Sequence, residues 1–231
     1  MAYVFAPPPQ AVVPVFNSDD LFPVHRVYCV GRNYEEHARE MGASGREAPF
    51  FFSKPADAVV PAPEGKVLTL PFPSATESLH HEIELVVALG GGGRDIAAAE
   101  APALIWGYTV GLDLTRRDLQ AEAKKQGRPW DTAKGFDQSA PVGPIRPVGR
   151  IGHQNSGEIW LAVNGERRQS GDVAQMIWNV AEIIEHLSRY YELRAGDLIF
   201  TGTPAGVGPV QRGDEIEAAA AGAGTLRVRF V

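Results

Sequence analysis

The sequence predicts a mixed, mainly β fold, an α+β architecture in which strands outnumber helices. Short apolar runs with alternating character recur along most of the chain, and glycine-rich turn signals separate them. The connections between them are too short and irregular for a regular alternation of strand and helix on a parallel sheet.

Residues 1–24 are rich in proline and read as an extended leader packed on the main domain, which is expected to run as a single unit over 25–231. His25 to Val30 reads as the first core strand. Gly31-Arg32-Asn33 then leads into Tyr34 to Met41, whose spacing is helical, and the stretch before the apolar run Pro49 to Lys54 has the composition of a mobile flap. Lys66 to Leu70 and Glu82 to Leu89 read as strands and Gly90 to Gly93 as a turn. The glycine run lacks the lysine-serine/threonine ending of a phosphate loop. Ile96 to Ile105 reads as a short helix capped by Asp95, weakened by Pro102.

Tyr108 to Leu112 should be a strand ending at Asp113. Thr115 and Asp118 resemble a capping box for a helix that runs to Gln126 and stops at Gly127. Ile159 to Val163 should pair across Asn164-Gly165, a two-residue hairpin signal. Val173 to Tyr190 is the best amphipathic helix, with Met176, Ile177, Val180, Ile183, Ile184 and Leu187 on one face. Asp197 to Phe200 and Asp214 to Val231 complete the strands.

The 231 residues are 44% hydrophobic, enough for a real core. A net charge of -6, with no long block of Lys and Arg, argues against nucleic acid as a partner. Cys29 is the single cysteine and sits in the apolar run Val27-Tyr28-Cys29-Val30, so it reads as a buried side chain in a reducing, cytoplasmic setting. No apolar run approaches a membrane span, and no signal-peptide core is recognisable. A soluble, unprocessed protein without membrane contact is expected.

The chemistry concentrates in Leu79-His80-His81-Glu82-Ile83-Glu84-Leu85. In a strand, Glu82 and Glu84 share one face while Ile83, Leu85 and Val87 share the other. Two carboxylates on a half-buried sheet call for positive charge between them, and a hard divalent cation supplies it. Glu215-Ile216-Glu217 has the same spacing but lies among small residues beside a turn, and reads as a solvated strand face. What sets Glu82 and Glu84 apart is Asp113 at a strand end and Lys134 further on. Three carboxylates suit Mg²⁺ or Mn²⁺. His80 and His81 are poor zinc candidates, because only His80 shares the glutamates' face. A hydrogen bond that steadies a metal-binding carboxylate suits His80, and packing or the opposite sheet surface suits His81. If residues 34–41 are helical, His37 and Glu40 lie three apart on one face, the geometry of a general base and the carboxylate that orients it.

Several whole motifs occur in order: Gly31-Arg32-Asn33-Tyr34 with His37 and Glu40, Phe52-Ser53-Lys54-Pro55, His80-His81-Glu82-Ile83-Glu84-Leu85, Asp113-Leu114-Thr115 with Asp118 and Gln120, Trp130 with Lys134, and Thr201-Gly202-Thr203-Pro204-Ala205-Gly206-Val207. Over residues 25–231 the chain thereby resembles the fumarylacetoacetate hydrolase superfamily, and its acylpyruvate hydrolase branch in particular. The resemblance implies a β-roll with short peripheral helices and a homodimer. It implies that Glu82, Glu84 and Asp113 ligate Mg²⁺ or Mn²⁺, and that a 2-oxoacid substrate chelates the ion. Lys134 would balance charge and donate to an enolate oxygen. His37 and Glu40 would activate water from a flap, Gln120 and Arg32 would steady the carbonyl, Thr203 would hold the substrate carboxylate and Lys54 would line the pocket.

The implied reaction is hydrolysis of the carbon–carbon bond of an acylpyruvate such as fumarylpyruvate, giving pyruvate and an acid, in aromatic catabolism. Decarboxylation of oxaloacetate, or isomerisation or decarboxylation of hydroxymuconate-type diacids, are alternatives within the superfamily. A metal-dependent dicarboxylate-binding protein without turnover is the alternative of a different class. Arg46, Arg116, Arg117 and Arg128 all remain candidates for a second substrate carboxylate.

Overall fold

Along Ile83–Leu89, Ile83, Leu85, Val87 and Leu89 join one apolar core and Val86 and Ala88 join another, so this strand is buried on both faces. The half-buried strand predicted from sequence is therefore a central one. The computed structural model describes residues 3–34 and 47–231. In it an eight-stranded sheet runs in the order Phe50–Lys54, Val27–Gly31, Leu198–Phe200, Ile83–Leu89, Ile105–Leu112, Ala140–Val142, Val59–Pro61, with Arg146–Pro147 pairing beside Ile105–Leu112. Its pairings are mixed: Leu198–Phe200 lies parallel to Val27–Gly31 and antiparallel to Ile83–Leu89.

A five-stranded sheet, Glu166–Asp172, Glu158–Val163, Glu215–Ala220, Gly224–Phe230, Val67–Leu70, contributes Leu161, Ile216, Val228 and Phe230 to the larger core. The smaller core is closed by Val13, Phe22 and Val24, from the paired strands Val12–Pro14 and Leu21–Pro23 and the residue after them. The N-terminal stretch read as simply extended thus contains a two-stranded ladder. Burying each large aliphatic side chain in these layers contributes about 1.5–3 kcal/mol.

Four short α-helices lie among the described residues: Arg117–Gln126, Asp131–Lys134, Val148–Ile151 and Val180–Tyr190. The fold is mostly β with a curled sheet. Among the described residues no helix is long and apolar enough to cross a membrane.

Several predicted elements differ. Ile96 to Ile105 forms no α-helix: a 3₁₀ turn at Ala101–Leu104 leads into the strand Ile105–Leu112. Pro102 has no N–H to give to an α-helical ladder and is tolerated here only in the first turn of the short 3₁₀ element. The helix at Arg117–Gln126 ends at Gly127 in the left-handed conformation, as predicted, but no side chain caps its start. Thr115 Oγ1 bonds back to the Asp113 carbonyl, and Asp118 accepts from Thr76 Oγ1 and the Glu77 and Leu119 N–H groups. The predicted helix over Val173 to Tyr190 is two elements, a 3₁₀ turn at Val173–Gln175 and the helix Val180–Tyr190. Asp172 and Asn179 each build a capping box, and two starts within eight residues interrupt the helix. The apolar face of Val180, Ile183, Ile184 and Leu187 is buried as expected. The hairpin Glu158–Val163/Glu166–Asp172 turns at Asn164 and Gly165, both at positive φ.

Candidate active site

Glu84 continues the Val86/Ala88 side of its strand, where the apolar layer gives way to carboxylates. Glu82 sits in the break between Leu79–His81 and Ile83–Leu89, and Asp113 directly follows Ile105–Leu112. Ile83 pairs with Leu112, and the Asp113 N–H donates to the Glu82 carbonyl at 2.8 Å, so this antiparallel register brings the two acids together. One ligand oxygen from each of Glu82, Glu84 and Asp113 lies within 4.8 Å of the others, and all three residues are buried.

Among the described residues three cations surround them. Lys134 Nζ donates to Glu82 Oε2 at 2.7 Å and to Asp113 Oδ2 at 2.6 Å. Lys54 Nζ lies 2.8 Å from Asp113 Oδ1, and Arg117 pairs with Glu82. Burial works against the Lys134 ammonium, but Asp113 and Glu82 outweigh it and raise its pKa above the ordinary value. Glu84 differs: burial raises its carboxyl pKa well above the ordinary value, and Asp113 and Glu82 push it further. Its Oε2 accepts the Gly202 N–H at 2.7 Å. Gly202 has φ 99° and a Cβ there would lie 2.7 Å from that of Asn33, so only glycine fits this approach.

These residues fit a divalent cation on two observations. Asp113 Oδ1 is buried and, despite the nearby Lys54 charge, has no aligned hydrogen-bond donor among the described residues. Glu84 has the N–H of Gly202 but is repelled by two neighbouring acids. An oxygen-only donor set of this kind suits a hard ion.

A pocket opens on the cluster, lined by Arg32, Phe50, Phe52, Trp130, Gln120 and Thr203 as well as the carboxylates, Arg117 and Lys134. Arg32 holds φ 58°, a conformation costing about 1–2 kcal/mol outside glycine, and its guanidinium lies over the Phe50 ring. Gln120 Oε1 accepts from Arg117 Nη1 at 2.6 Å. Lys54 donates to the Leu114 and Lys134 carbonyls and stands beside Asp113, and it is not among the described residues that line the pocket. His37, Glu40 and Arg46 lie outside the described residues. Arg116 packs over Phe136 and donates to the Thr132 carbonyl, away from the pocket.

Sequence reasoning missed three residues. Arg117 was weighed only for a distal carboxylate, yet it contacts Glu82. Asn33 is buried and holds the Trp178 and Thr201 backbone, fixing the Arg32 turn beside the Thr203 turn. Gln169, in a charged strand, reaches across to His81, Ile83 and Thr203, and nothing in its sequence surroundings marks it. His81 is buried and hydrogen-bonded, while Arg117 Nε approaches His80 Nδ1 at 3.4 Å. Glu215, the control, pairs with Arg227 and Arg229 at the surface.

The sequence matches the family described as fumarylacetoacetate (FAA) hydrolase C-terminal over residues 26–231. The crystal structure of fumarylpyruvate hydrolase from Pseudomonas aeruginosa in complex with Mn²⁺ and pyruvate superposes with a TM-score of 0.98. It is 54% identical, with 100% of this chain and 99% of that chain covered. The mitochondrial oxaloacetate tautomerase of Homo sapiens is 45% identical over 83% of this chain and 85% of its own length. The oxaloacetate tautomerase of Escherichia coli is 42% identical over 84% of this chain and 88% of its own length.

Proposed function

We propose, from the premise that this chain belongs to the fumarylacetoacetate hydrolase family, that it is a divalent-metal-dependent acylpyruvate hydrolase acting on fumarylpyruvate or a close analogue. The observation that carries this reading is the near-complete, 54% identical likeness to a fumarylpyruvate hydrolase. The tautomerases, at 42–45% identity, align over a smaller share of the chain.

A divalent cation held by Glu82, Glu84 and Asp113, Mn²⁺ or Mg²⁺, would supply the positive charge that chelates and polarises the 2-oxoacid head. The chain's own groups then have separate tasks. His37, oriented by Glu40, takes a proton from water, and the hydroxide adds to the carbonyl carbon remote from the 2-oxoacid end. The bond from that carbon to the methylene breaks, its electron pair leaves with the pyruvate fragment as an enolate, and protonation yields pyruvate beside the free acid. The Lys134 ammonium donates to the enolate oxygen, Gln120 and Arg32 steady the carbonyl as it becomes an oxyanion, and Thr203 holds the substrate carboxylate.

The curated relatives favour a second reading, oxaloacetate tautomerisation, which also passes through an enolate of a 2-oxoacid but needs no attacking water. The sequence-based alternative of oxaloacetate decarboxylation shares that substrate. A panel decides: fumarylpyruvate, acetylpyruvate and oxaloacetate are each mixed with the Mn²⁺-loaded protein. Loss of enol absorbance with equimolar pyruvate, measured by a coupled dehydrogenase, is expected for fumarylpyruvate. Interconversion of oxaloacetate enol and keto forms without cleavage of either acylpyruvate would sink the hydrolase reading. The homodimer belongs to the same proposal and is read from molar mass by light scattering.

A further inference from the structure

Gln169 is the one buried residue of Glu166–Asp172, a strand at the edge of the five-stranded sheet whose neighbouring side chains are otherwise exposed or half-exposed. A fully buried amide on such a strand must have all its hydrogen-bonding groups answered. Oε1 accepts the Ile83 N–H at 3.1 Å and lies 2.9 Å from His81 Nδ1. Nε2 donates to the Pro204 carbonyl and to Thr203 Oγ1, both at 2.8 Å.

The orientation of the amide is fixed by these partners. Turning it over would set an N–H₂ against the Ile83 N–H and an oxygen against the Pro204 carbonyl, two repulsive pairs in a buried place. Because Oε1 can only accept, His81 must carry its proton on Nδ1. Because Nε2 can only donate, Thr203 Oγ1 must accept, and the hydroxyl hydrogen is then free to point to another acceptor. Thr203 lines the pocket, one residue from the Gly202 N–H that holds Glu84.

We propose that Gln169 is a positioning residue that sets Thr203 as an obligate hydrogen-bond donor into the pocket, so that the site selects the carboxylate of a 2-oxoacid over its neutral amide. The inference rests on the 2-oxoacid reading above. A carboxylate offers acceptors only, whereas an amide presents donors on one side, and a hydroxyl locked as donor distinguishes the two.

The test measures pyruvate binding to the Mn²⁺-loaded full-length protein by calorimetry, with Mn²⁺ affinity measured separately. Gln169→Glu keeps size and can still accept from His81 and Ile83, but it cannot donate to Thr203, whose hydroxyl then turns to the new carboxylate. Gln169→Glu and Thr203→Val should each weaken pyruvate by about tenfold, the scale of one hydrogen bond to a charged group. Mn²⁺ affinity should stay unchanged, and the double variant should bind no more weakly than Thr203→Val. Wild-type affinity in Gln169→Glu, or losses that multiply in the double variant, would overturn the proposal.

If Gln169→Glu does not fold, Thr203 alone decides, with pyruvate compared against pyruvamide. Wild type and Thr203→Ser should prefer the acid by about tenfold more than Thr203→Val does; an undiminished preference in Thr203→Val overturns the inference. Absence of pyruvate binding to the wild-type protein would instead remove the 2-oxoacid reading itself.

Discussion

Lys134 Nζ stands 2.6 Å from Asp113 Oδ2 and 2.7 Å from Glu82 Oε2, so one buried ammonium bridges two of the three clustered acids. Removing one partner of a buried pair costs about 3–5 kcal/mol where the other is left uncompensated, and Arg117 on Glu82 and Lys54 on Asp113 offset only part of that here. Lys134→Met should therefore lower the melting temperature strongly in EDTA. Mn²⁺ should recover much of the loss, since binding to the folded state alone stabilises it and the ion replaces the missing charge. An equal depression with and without Mn²⁺ would separate Lys134 from the metal site. Turnover should fall by roughly 10²–10³, the typical cost of removing a donor at developing negative charge.

Glu84 carries the opposite expectation. Burial raises its pKa, with Asp113 and Glu82 adding to the effect, so the metal-free folded state holds this proton more tightly than the unfolded chain. The sign follows: its contribution is intact below the ordinary carboxylate pKa and is lost as pH rises through the folded value. Glu84→Gln keeps an oxygen for the Gly202 N–H and removes the charge. In EDTA it should be more resistant to urea than wild type at pH 8, with the gap closing at pH 4. Mn²⁺ affinity should fall by more than about 100-fold, beyond the loss usual for outer-shell changes. Wild-type Mn²⁺ affinity in this variant would remove Glu84 from the ligand set.

Much of this site was legible because its parts lie in short contiguous motifs. Glu82 and Glu84 share a segment, Asp113 ends a strand and Lys134 follows Trp130, so residue type and place carried the reading. The strands were legible from alternation, and Asn164-Gly165 fixed a hairpin outright. Burial was less legible: Glu84 within Ile83–Leu89 favours a strand open on its carboxylate side, and only the apolar stretch Leu85–Leu89 points to cover on both faces. Helix starts failed where a side chain found a better partner. Thr115 turns to the Asp113 carbonyl, and Asn179 begins a helix that apolar spacing alone would start at Val173. Gln169 and Asn33 were illegible because their roles are bonds across long sequence separations, which no local pattern encodes.

Asn33 joins the Arg32 turn to two other segments. Its Nδ2 donates to the Trp178 carbonyl at 2.9 Å and the Thr201 carbonyl at 2.7 Å, and its Oδ1 accepts the Trp178 N–H at 2.8 Å. Asn33→Ala should destabilise by about 2–4 kcal/mol, because buried backbone groups lose their partners. Asn33→Asp should cost more, since it turns a carboxylate oxygen towards two carbonyls. Urea unfolding compares them directly, and an aspartate variant more stable than the alanine variant would contradict the assigned bonds.

His80 supplies a pH dependence. Burial, then the Arg117 guanidinium and His81, push its pKa down to about 4 from 6.5. Between those values the unfolded chain binds a proton that the folded one refuses, so stability should fall as pH drops from 6.5 towards 4. His81 shifts in the same direction, burial again being the main cause. His80→Asn should flatten the urea midpoint against pH in that window and leave it unchanged above pH 7. Parallel curves for wild type and variant would show that His80 titrates normally.

His37 and Glu40 test which reaction the site performs. Hydrolysis needs a hydroxide equivalent at the remote carbonyl, and a neutral imidazole held by a carboxylate is the group that makes one near neutral pH. Neither residue belongs to the carboxylate triad, so their loss should leave Mn²⁺ and pyruvate affinity within about twofold while turnover collapses, the pattern of an interaction made only in the transition state. His37→Ala should slow fumarylpyruvate cleavage by about 10²–10⁴, the usual contribution of a positioned acid or base. On the proposed roles Glu40→Gln should slow it less, because the imidazole that would take the proton remains. Enolate formation alone requires no activated water, so exchange of the pyruvate methyl protons into deuterated solvent, followed by nuclear magnetic resonance, should survive in Glu40→Gln better than cleavage does. Equal losses of exchange and cleavage would assign the pair to proton transfer at carbon, the step a tautomerase needs, and not to water.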